Sequence, residues 1–415
     1  MGQIMPAVTC PSCRTLVERR GDVSVCLGCS ARYPITYDVI DLRDAKFDES
    51  DRFSIANDML IATGLAASYD QATDFHQLCM VYEALWHQLR SQGEIATLDL
   101  KALLSAIRPR AVSRVRLARE QSNYEHIERL RRGRGRLLPS RNLALESGIG
   151  RSLFISALAA QFESLVAVDI SLSRLLLGRK LADELKLSNI IFLCGNVERL
   201  PLASDSVDFV HSSGLIEHID DQPAMVREAH RVLRHGGVLY VESPNRLTLG
   251  IEQHSGVRCA GLLPKPFRRL AARGRSARAA TIPKLLSLGE LRDLMTPLFE
   301  QHFHVDSRMQ YNVCIPSGRS FGQILFSLPM AKRLARFRYE LFSRLLLRFT
   351  PHHLALCVKA GSAKLTNDTR QSQGKEGERS WLRRRRGGVR SRGPDASTGS
   401  SSRRSVRPPS AGATL

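Results

Sequence analysis

The sequence predicts an α/β protein, a mostly parallel sheet with helices on both faces, preceded by a small cysteine-bearing module and a helical segment. Three observations carry that expectation. In NLALESGIGRSLFISALAAQFESLVAVDIS, residues 142–171, an apolar run, a glycine turn, an apolar helical segment and a second apolar run ending on Asp169 follow one another. The alternation then continues, with helical patterns at 173–186 and 222–233 and apolar runs at 189–194 and 238–242. The double glycine Gly236-Gly237 stands where the second of those helices should stop. Strands alternating with helices of this length build parallel sheets.

Each residue type in the opening unit has a reason. Gly148 and Gly150 let the backbone turn sharply and approach a ligand with no Cβ in the way. Asp169, about 20 residues further on at the end of the second strand, can accept both hydroxyls of a ribose. A βαβ unit of this kind holds a nucleoside at the carboxyl ends of its strands. The dinucleotide fingerprint G-x-G-x-x-G is not present, because Arg151, Ser152 and Leu153 follow Gly150. The two glycines by themselves leave a methyltransferase, a reductase and a plain structural turn all open.

The length of 415 residues allows one large domain with appendages, or two domains. A net charge of +21 is the unusual number. Residues 361–415 hold thirteen Lys or Arg against four Asp or Glu, so the tail does not account for all of it. Charge of this sign suits nucleic acid, an anionic membrane surface or phosphorylated substrates, and says nothing about fold. No signal-peptide pattern is present, and no apolar run approaches the roughly 20 residues that span a bilayer. Four of the nine cysteines pair as CxxC; Cys79, Cys194, Cys259, Cys314 and Cys357 are scattered in apolar settings. That usage fits a reducing compartment and a cytoplasmic protein.

Taken in order, residues 1–44 carry Cys10-Pro-Ser-Cys13 and Cys26-Leu-Gly-Cys29, two CxxC pairs separated by twelve residues. This spacing places four thiolates at the corners of a tetrahedron, which suits a structural Zn²⁺. An open fourth position, as a catalytic zinc needs, is absent, and no thioredoxin-like pattern supports a redox role. The intervening LVERRGDVSV reads as a hairpin turning at Gly21-Asp22. The module resembles zinc ribbons fused to, or partnering, methyltransferases, which dock on a partner surface or help grip substrate.

Residues 45–136 read as a helical segment and a basic linker. Apolar residues at helical spacing predict a helix from Asp74 to Leu89, with Tyr82 and Trp86 in the core. From Arg108 to Arg136 the chain is strongly basic, and Gly133 and Gly135 break any helix there. A solvated face is the plain reading of this run; an RNA or phosphate patch is the functional one.

Within residues 137–360 the opening unit and four further segments carry a resemblance. Glu146, Gly148 and Gly150 match motif I, E/D-x-G-x-G-x-G, of class I S-adenosylmethionine methyltransferases, with Ser152 in place of the last glycine. Gly195-Asn196-Val197-Glu198-Arg199-Leu200-Pro201 is similar to G-D-A-x-x-L-P, with Asn196 replacing the Asp that touches the adenine amine. Asp205 to Val210, DSVDFV, resembles the strand that reads D-x-x-F-D-x-V, with Val207 where the Phe stands, and HSSGLIEHIDD resembles V-L-E-H-I-x-D. His235-Gly236-Gly237 resembles the L-K-P-G-G turn. The chain is thereby identified as similar to the type 11 subgroup, which acts on small molecules, lipids and glycans.

The resemblance implies a Rossmann-like, seven-stranded, mostly parallel sheet and S-adenosylmethionine as cofactor. It implies that Gly148 and Gly150 admit the methionine moiety, that Glu146 holds its amino group through the loop and that Asp169 takes the ribose. Asn196 and Val197 would flank adenine, Ile170 would join the cofactor-binding residues, and Ser213 would lie beneath the sulfonium. Methyl transfer needs little beyond positioning and water exclusion; a hydroxyl acceptor would use a base, for which His218, His254 and Glu217 are the candidates. Glu217 and His218 are expected at the start of a helix. The expected substrate is a small molecule, lipid or glycan. An rRNA methyltransferase, using the basic segments on RNA, and a non-catalytic interaction protein are the alternatives.

Toward the C-terminus, the pattern predicts a helix over 287–298, a strand over 302–313 and a last strand over 354–360. Between them, Phe321 to Phe349 alternates apolar and basic residues and reads as a lid over the pocket in preference to a membrane-lying helix, given Pro329 and its short length. Residues 361–415, rich in Ser, Gly, Arg and Pro, are expected to be a disordered basic tail.

Overall fold

The computed structural model describes residues 8–43, 54–92, 99–110, 141–150, 154–249, 257–264, 267, 270–271, 284–303 and 352–360. All of them fall in one compact unit, Met1–Gly361. The arginines of 114–136 and 268–278, the loop carrying His254, the Phe321–Phe349 segment and the tail from Gly361 lie outside the described residues.

Four short strands come first: β1 (Val17–Arg20), β2 (Val23–Cys26), β3 (Arg32–Thr36) and β4 (Val39–Asp41). Three helices follow, α1 (Ile55–Tyr69), α2 (Phe75–Gln92) and α3 (Leu100–Ala106). The expected alternation then runs β5 (Leu143–Ser147), α4 (Phe154–Ala159), β6 (Ser164–Asp169), α5 (Leu172–Glu184), β7 (Ile190–Cys194) and β8 (Val207–Ser213). It continues with α6 (Gln222–Val232), β9 (Leu233–Pro244), α7 (Leu288–Met295), β10 (Glu300–Phe303) and β11 (His352–Val358).

The strands form one sheet in the order β1-β2-β3-β4-β7-β6-β5-β8-β9-β11-β10. From β4 through β9 every neighbouring pair is parallel, whereas β11 runs antiparallel to both β9 and β10. The last seven strands in that order are the Rossmann-like sheet the sequence predicts. Helices cover both of its faces. Because side chains alternate along a strand, Leu143, Leu145, Val166 and Val168 join α6 and α7 in one core, while Ala144, Leu165 and Ala167 join α1, α2 and α5 in the other. Tyr82 and Trp86 pack against that second core, as expected.

The cysteine module does not stand apart. Strand β4 adds to β7 in parallel register, Val39 opposite Phe192 and Asp41 opposite Cys194, and extends the sheet to eleven strands. Leu42 N–H donates to the Cys194 carbonyl at 2.7 Å, Thr9 N–H to the Pro201 carbonyl at 2.9 Å and Arg14 Nη1 to the Leu200 carbonyl at 2.6 Å. Arg14 also pairs with Glu228 of α6 at 3.1 Å.

Two local expectations are corrected. The double glycine does not terminate a helix: α6 ends at Val232, and Leu233 is already extended with ψ 132°. Gly236 and Gly237 instead lie inside β9, where the pairing jumps from Val207–Leu233 to Phe209–Val238. The extra residues bulge outward, which Gly236 permits at φ +77° and Gly237 by lacking a Cβ that would stand 2.8 Å from the Arg234 carbonyl oxygen. The bulge carries the Arg234 guanidinium onto the buried Asp208 carboxylate. The second correction concerns Glu217 and His218. They sit on a 3₁₀ turn, Ile216–His218, and the following helix starts only after its Asp221 N-cap.

His353, at the start of β11, is fully buried, and burial followed by the neighbouring His352 lowers its pKa from 6.5 to about 4. The unfolded chain therefore binds the extra proton between those values, so stability rises with pH there. Folding stability should be complete above about pH 6.5 and fall by about 3 kcal/mol as pH drops toward 4. Urea midpoints at several pH values measure this, and His353→Leu should flatten that part of the profile.

Candidate active site

Successive strands β5, β6 and β7 step outward in one direction, and β8 then sits on the other side of β5. The carboxyl ends of β5 and β8 thus flank the point where the strand order reverses, the place where open α/β sheets bind ligands. Gly148 follows β5 at φ +75°, and its N–H donates to the Val168 carbonyl at 2.7 Å. Gly150 follows at φ +52°, and its amide is among the groups that hold the pKa of the Asp169 carboxylate down. The glycine turn is therefore bonded to the end of β6 beside the acid. Asp169 is buried, which pushes its pKa up; Arg174 and the amides of Ser171 and Gly150 pull it part of the way back.

The loop after β8 closes the other side of the crevice. Gly214 adopts φ +63°, and its N–H donates to the Glu242 carbonyl at 2.9 Å. Leu215 lies over the glycine turn: a Cβ added at Gly148 would stand 2.7 Å from its Cδ1. Gly148→Ala therefore forces a left-handed backbone on alanine and displaces Leu215. A loss of about 1–2 kcal/mol in chemical denaturation is expected from the backbone alone.

The remaining expected residues fall around this crevice, with His254 outside the described residues. Ser213 donates to Glu242 Oε2 at 2.9 Å, and Tyr240 donates to the same oxygen at 3.2 Å. Ile170 and Asn196 follow the ends of β6 and β7, joined where Gly195 N–H donates to the Asp169 carbonyl at 2.9 Å. The Asn196 side-chain oxygen accepts from Glu198 N–H at 2.8 Å, and Val197 is buried. Glu217 is buried, its Oε1 3.7 Å from where a Gly214 Cβ would be and 4.0 Å from Nε2 of the exposed His218.

Glu146 behaves differently from a loop acid. Its carboxylate is buried and its Oε2 is 2.6 Å from His211 Nδ1, in register across β5 and β8. Burial pushes the Glu146 carboxyl up and His211 pulls it partly back. His211 in turn stacks on Tyr240 at 4.7 Å. Three further residues at this crevice escaped the sequence reading: His211, Arg43 and Asp58. Asp58 of α1 accepts from Ser171 Oγ at 2.7 Å, Ser173 Oγ at 2.6 Å and Leu172 N–H at 2.8 Å, two to four residues after Asp169.

At the far edge, the Sγ atoms of Cys10, Cys13, Cys26 and Cys29 all lie within 4.8 Å of one another. Cys10 and Cys29 are 3.7 Å apart, and Cys13 and Cys26 3.3 Å. Tetrahedral thiolates around a zinc ion, with Zn–S of about 2.3 Å, stand about 3.8 Å apart, so the set fits one ion. Amides of Gly28 and Cys29 point at Cys26 Sγ at 3.3 and 3.4 Å, and the Tyr33 hydroxyl is 3.0 Å from Cys10 Sγ. The Thr15 hydroxyl and amide lower the Cys13 thiol, while its cysteine neighbours push Cys29 up.

A family model for the methyltransferase domain matches residues 145–241. Residues 145–241 carry a methyltransferase domain. It contains Glu146, both glycines, Asp169, Asn196 and the Ser213–His218 loop, and leaves the cysteine module and α1–α3 outside. A probable S-adenosylmethionine-dependent methyltransferase of Mycolicibacterium smegmatis is 52% identical over 54 residues, 13% of this chain and 21% of the relative. One from Mycobacterium tuberculosis is 35% identical over 104 residues, 25% of this chain and 36% of the relative. The chain thus spans well under half the length of these relatives. Among solved structures, phosphoethanolamine N-methyltransferase 2 of Haemonchus contortus has a TM-score of 0.37 at 14% identity, over 57% of this chain and 52% of that one.

Proposed function

We propose that the chain is an S-adenosylmethionine-dependent methyltransferase acting on a small-molecule, lipid or saccharide acceptor, with a structural Zn²⁺ held by Cys10, Cys13, Cys26 and Cys29. The observation that carries the reading is the Gly148 N–H on the Val168 carbonyl, which sets the glycine turn beside Asp169 at the switch point of a methyltransferase-domain sheet. When bound, the cofactor supplies an electrophilic sulfonium methyl. Asp169 accepts the two ribose hydroxyls; Ile170, Asn196 and Val197 flank the base; Gly148 and Gly150 leave room for the methionine portion. Glu146, fixed by His211, shapes the turn that receives its amino group. Ser213 lies at the crevice floor, and Leu215 excludes water from the glycine turn.

For a hydroxyl acceptor, His218 accepts the proton at Nε2, with the Glu217 carboxylate beside it holding the imidazolium that forms. His254 is a second base candidate. The net charge of +21 favours one other reading, an RNA acceptor held through the basic segments. A reducing, cytoplasmic setting suits the free cysteines. Among the described residues no helix is long and apolar enough to cross a membrane.

Titration calorimetry with S-adenosylmethionine and S-adenosylhomocysteine tests the cofactor. Incubating the protein with methyl-labelled cofactor and fractionated cell extract tests the acceptor. Label in the small-molecule, lipid or glycan fraction supports this reading; label in RNA alone supports the other. No heat with either ligand removes the enzyme reading altogether.

A further inference from the structure

We propose that Arg43 and Asp58, both outside the methyltransferase domain, are positioning residues that hold Asp169 in place for the nucleoside. The inference rests on the function proposed above. Arg43 leaves the cysteine module just after β4, and its side chain is 6% exposed. Its Nε and Nη2 form a fork on Asp41, at 2.9 and 2.5 Å. Its Nη1 reaches Asp58 Oδ2 at 3.2 Å and the Ile170 carbonyl at 3.4 Å, the peptide next to Asp169. Burial alone would lower the guanidinium pKa, but the hydrogen bond and charge of Asp41, with Cys194 and Asp58, hold it above its ordinary value.

Asp58 continues the chain of contacts. Oδ1 accepts the hydroxyls of Ser171 and Ser173, and Oδ2 accepts Leu172 N–H and Arg43. With four donors on two oxygens it has no capacity left for a ligand, so its role is to hold protein groups. The group that matters is Ser171. Its N–H donates to Asp169 Oδ1 at 3.0 Å while its Oγ donates to Asp58 and accepts Arg174 N–H at 3.2 Å as the cap of α5. The short segment 169–171 is thereby fixed at both ends of one serine. Asp41, Asp58 and Asp169 are like charges, and Asp58 adds to the rise in the Asp169 pKa. Arg43 lies between Asp41 and Asp58 and makes that concentration of carboxylates tolerable. A planar guanidinium can fork on Asp41 and reach Asp58 and Ile170 at once; a lysine ammonium cannot.

The test uses the full chain and two ligands, S-adenosylhomocysteine and its 2′-deoxy analogue, by titration calorimetry, with thermal midpoints of the unliganded proteins alongside. The wild type should prefer the ribose ligand by tenfold or more. Arg43→Met and Asp58→Asn should weaken S-adenosylhomocysteine at least tenfold and shrink that preference toward one, with Arg43→Lys in between. Ser171→Ala, which deletes one hydroxyl, supplies the same readout with a smaller loss if a charge variant does not fold. A purely structural role would weaken both ligands equally, and that result overturns the inference. Variants that keep affinity and preference within twofold also overturn it. A wild type that binds neither ligand instead overturns the cofactor reading, and this inference falls with it.

Discussion

Asp169→Asn should weaken cofactor binding by on the order of 10²- to 10³-fold while leaving the unliganded protein as stable as before or slightly more so. Two hydrogen bonds from ribose hydroxyls to a carboxylate are worth about 1.5–3 kcal/mol each, and an amide oxygen retains only part of one. The stability side follows from burial. The carboxylate sits out of water with a raised pKa, next to Asp58. A folded pKa above the unfolded one means the charged form is disfavoured by folding, so at neutral pH the ion costs stability that a neutral amide does not. The amide oxygen still accepts from the Ser171 amide. Calorimetry against S-adenosylhomocysteine and a denaturant series on the unliganded protein measure the two effects separately. A binding loss smaller than fivefold would take the ribose away from Asp169, and a large stability loss would make its role structural.

Stripping the metal should be the other large effect. A structural zinc site contributes about 10–16 kcal/mol of apparent binding free energy at neutral pH, and that energy is folding energy. The hydrophobic interior beside the cluster is small: Val8, Cys10, Cys26, Tyr33 and Leu42 are the module's buried apolar side chains there. A chelator should therefore release one zinc ion per chain, lower the thermal midpoint and open the amides of residues 8–43 to hydrogen exchange. Cys26→Ser should reproduce this without chelator, because Cys26 also receives the Gly28 and Cys29 amides. A protein that purifies without metal, or whose midpoint ignores chelator, would show that the four sulfurs only resemble a site.

The parts of the protein visible in the sequence are those in which chemistry and spacing are local. Gly148, Gly150 and Asp169 belong to one βαβ unit, and Cys10 to Cys29 to one hairpin, so their patterns survive as strings. Contacts set by sheet register do not. Glu146 faces His211 across 65 residues, a pairing fixed by β5 lying beside β8. Asp58 reaches Ser171 across 113 residues and reads in the sequence as one more acid near a helix start. Gly236-Gly237 reads as a helix stop, yet the residue that ends a helix also permits a bulge, and the extended Leu233 shows the bulge. The cysteine module carries no mark of what it packs on; only the pairing of β4 with β7 reveals its place.

That pairing has a consequence for solubility. Without β4, strand β7 would be the rim of a parallel sheet, presenting Ile190, Phe192 and Cys194 with a row of unused amides and carbonyls. Such a rim recruits stray strands from other molecules. The four added strands move the boundary outward to β1, whose VERR carries Glu18, Arg19 and Arg20 in exposed positions. A short, charged border has replaced a sticky one, and the domain guards itself against its own copies.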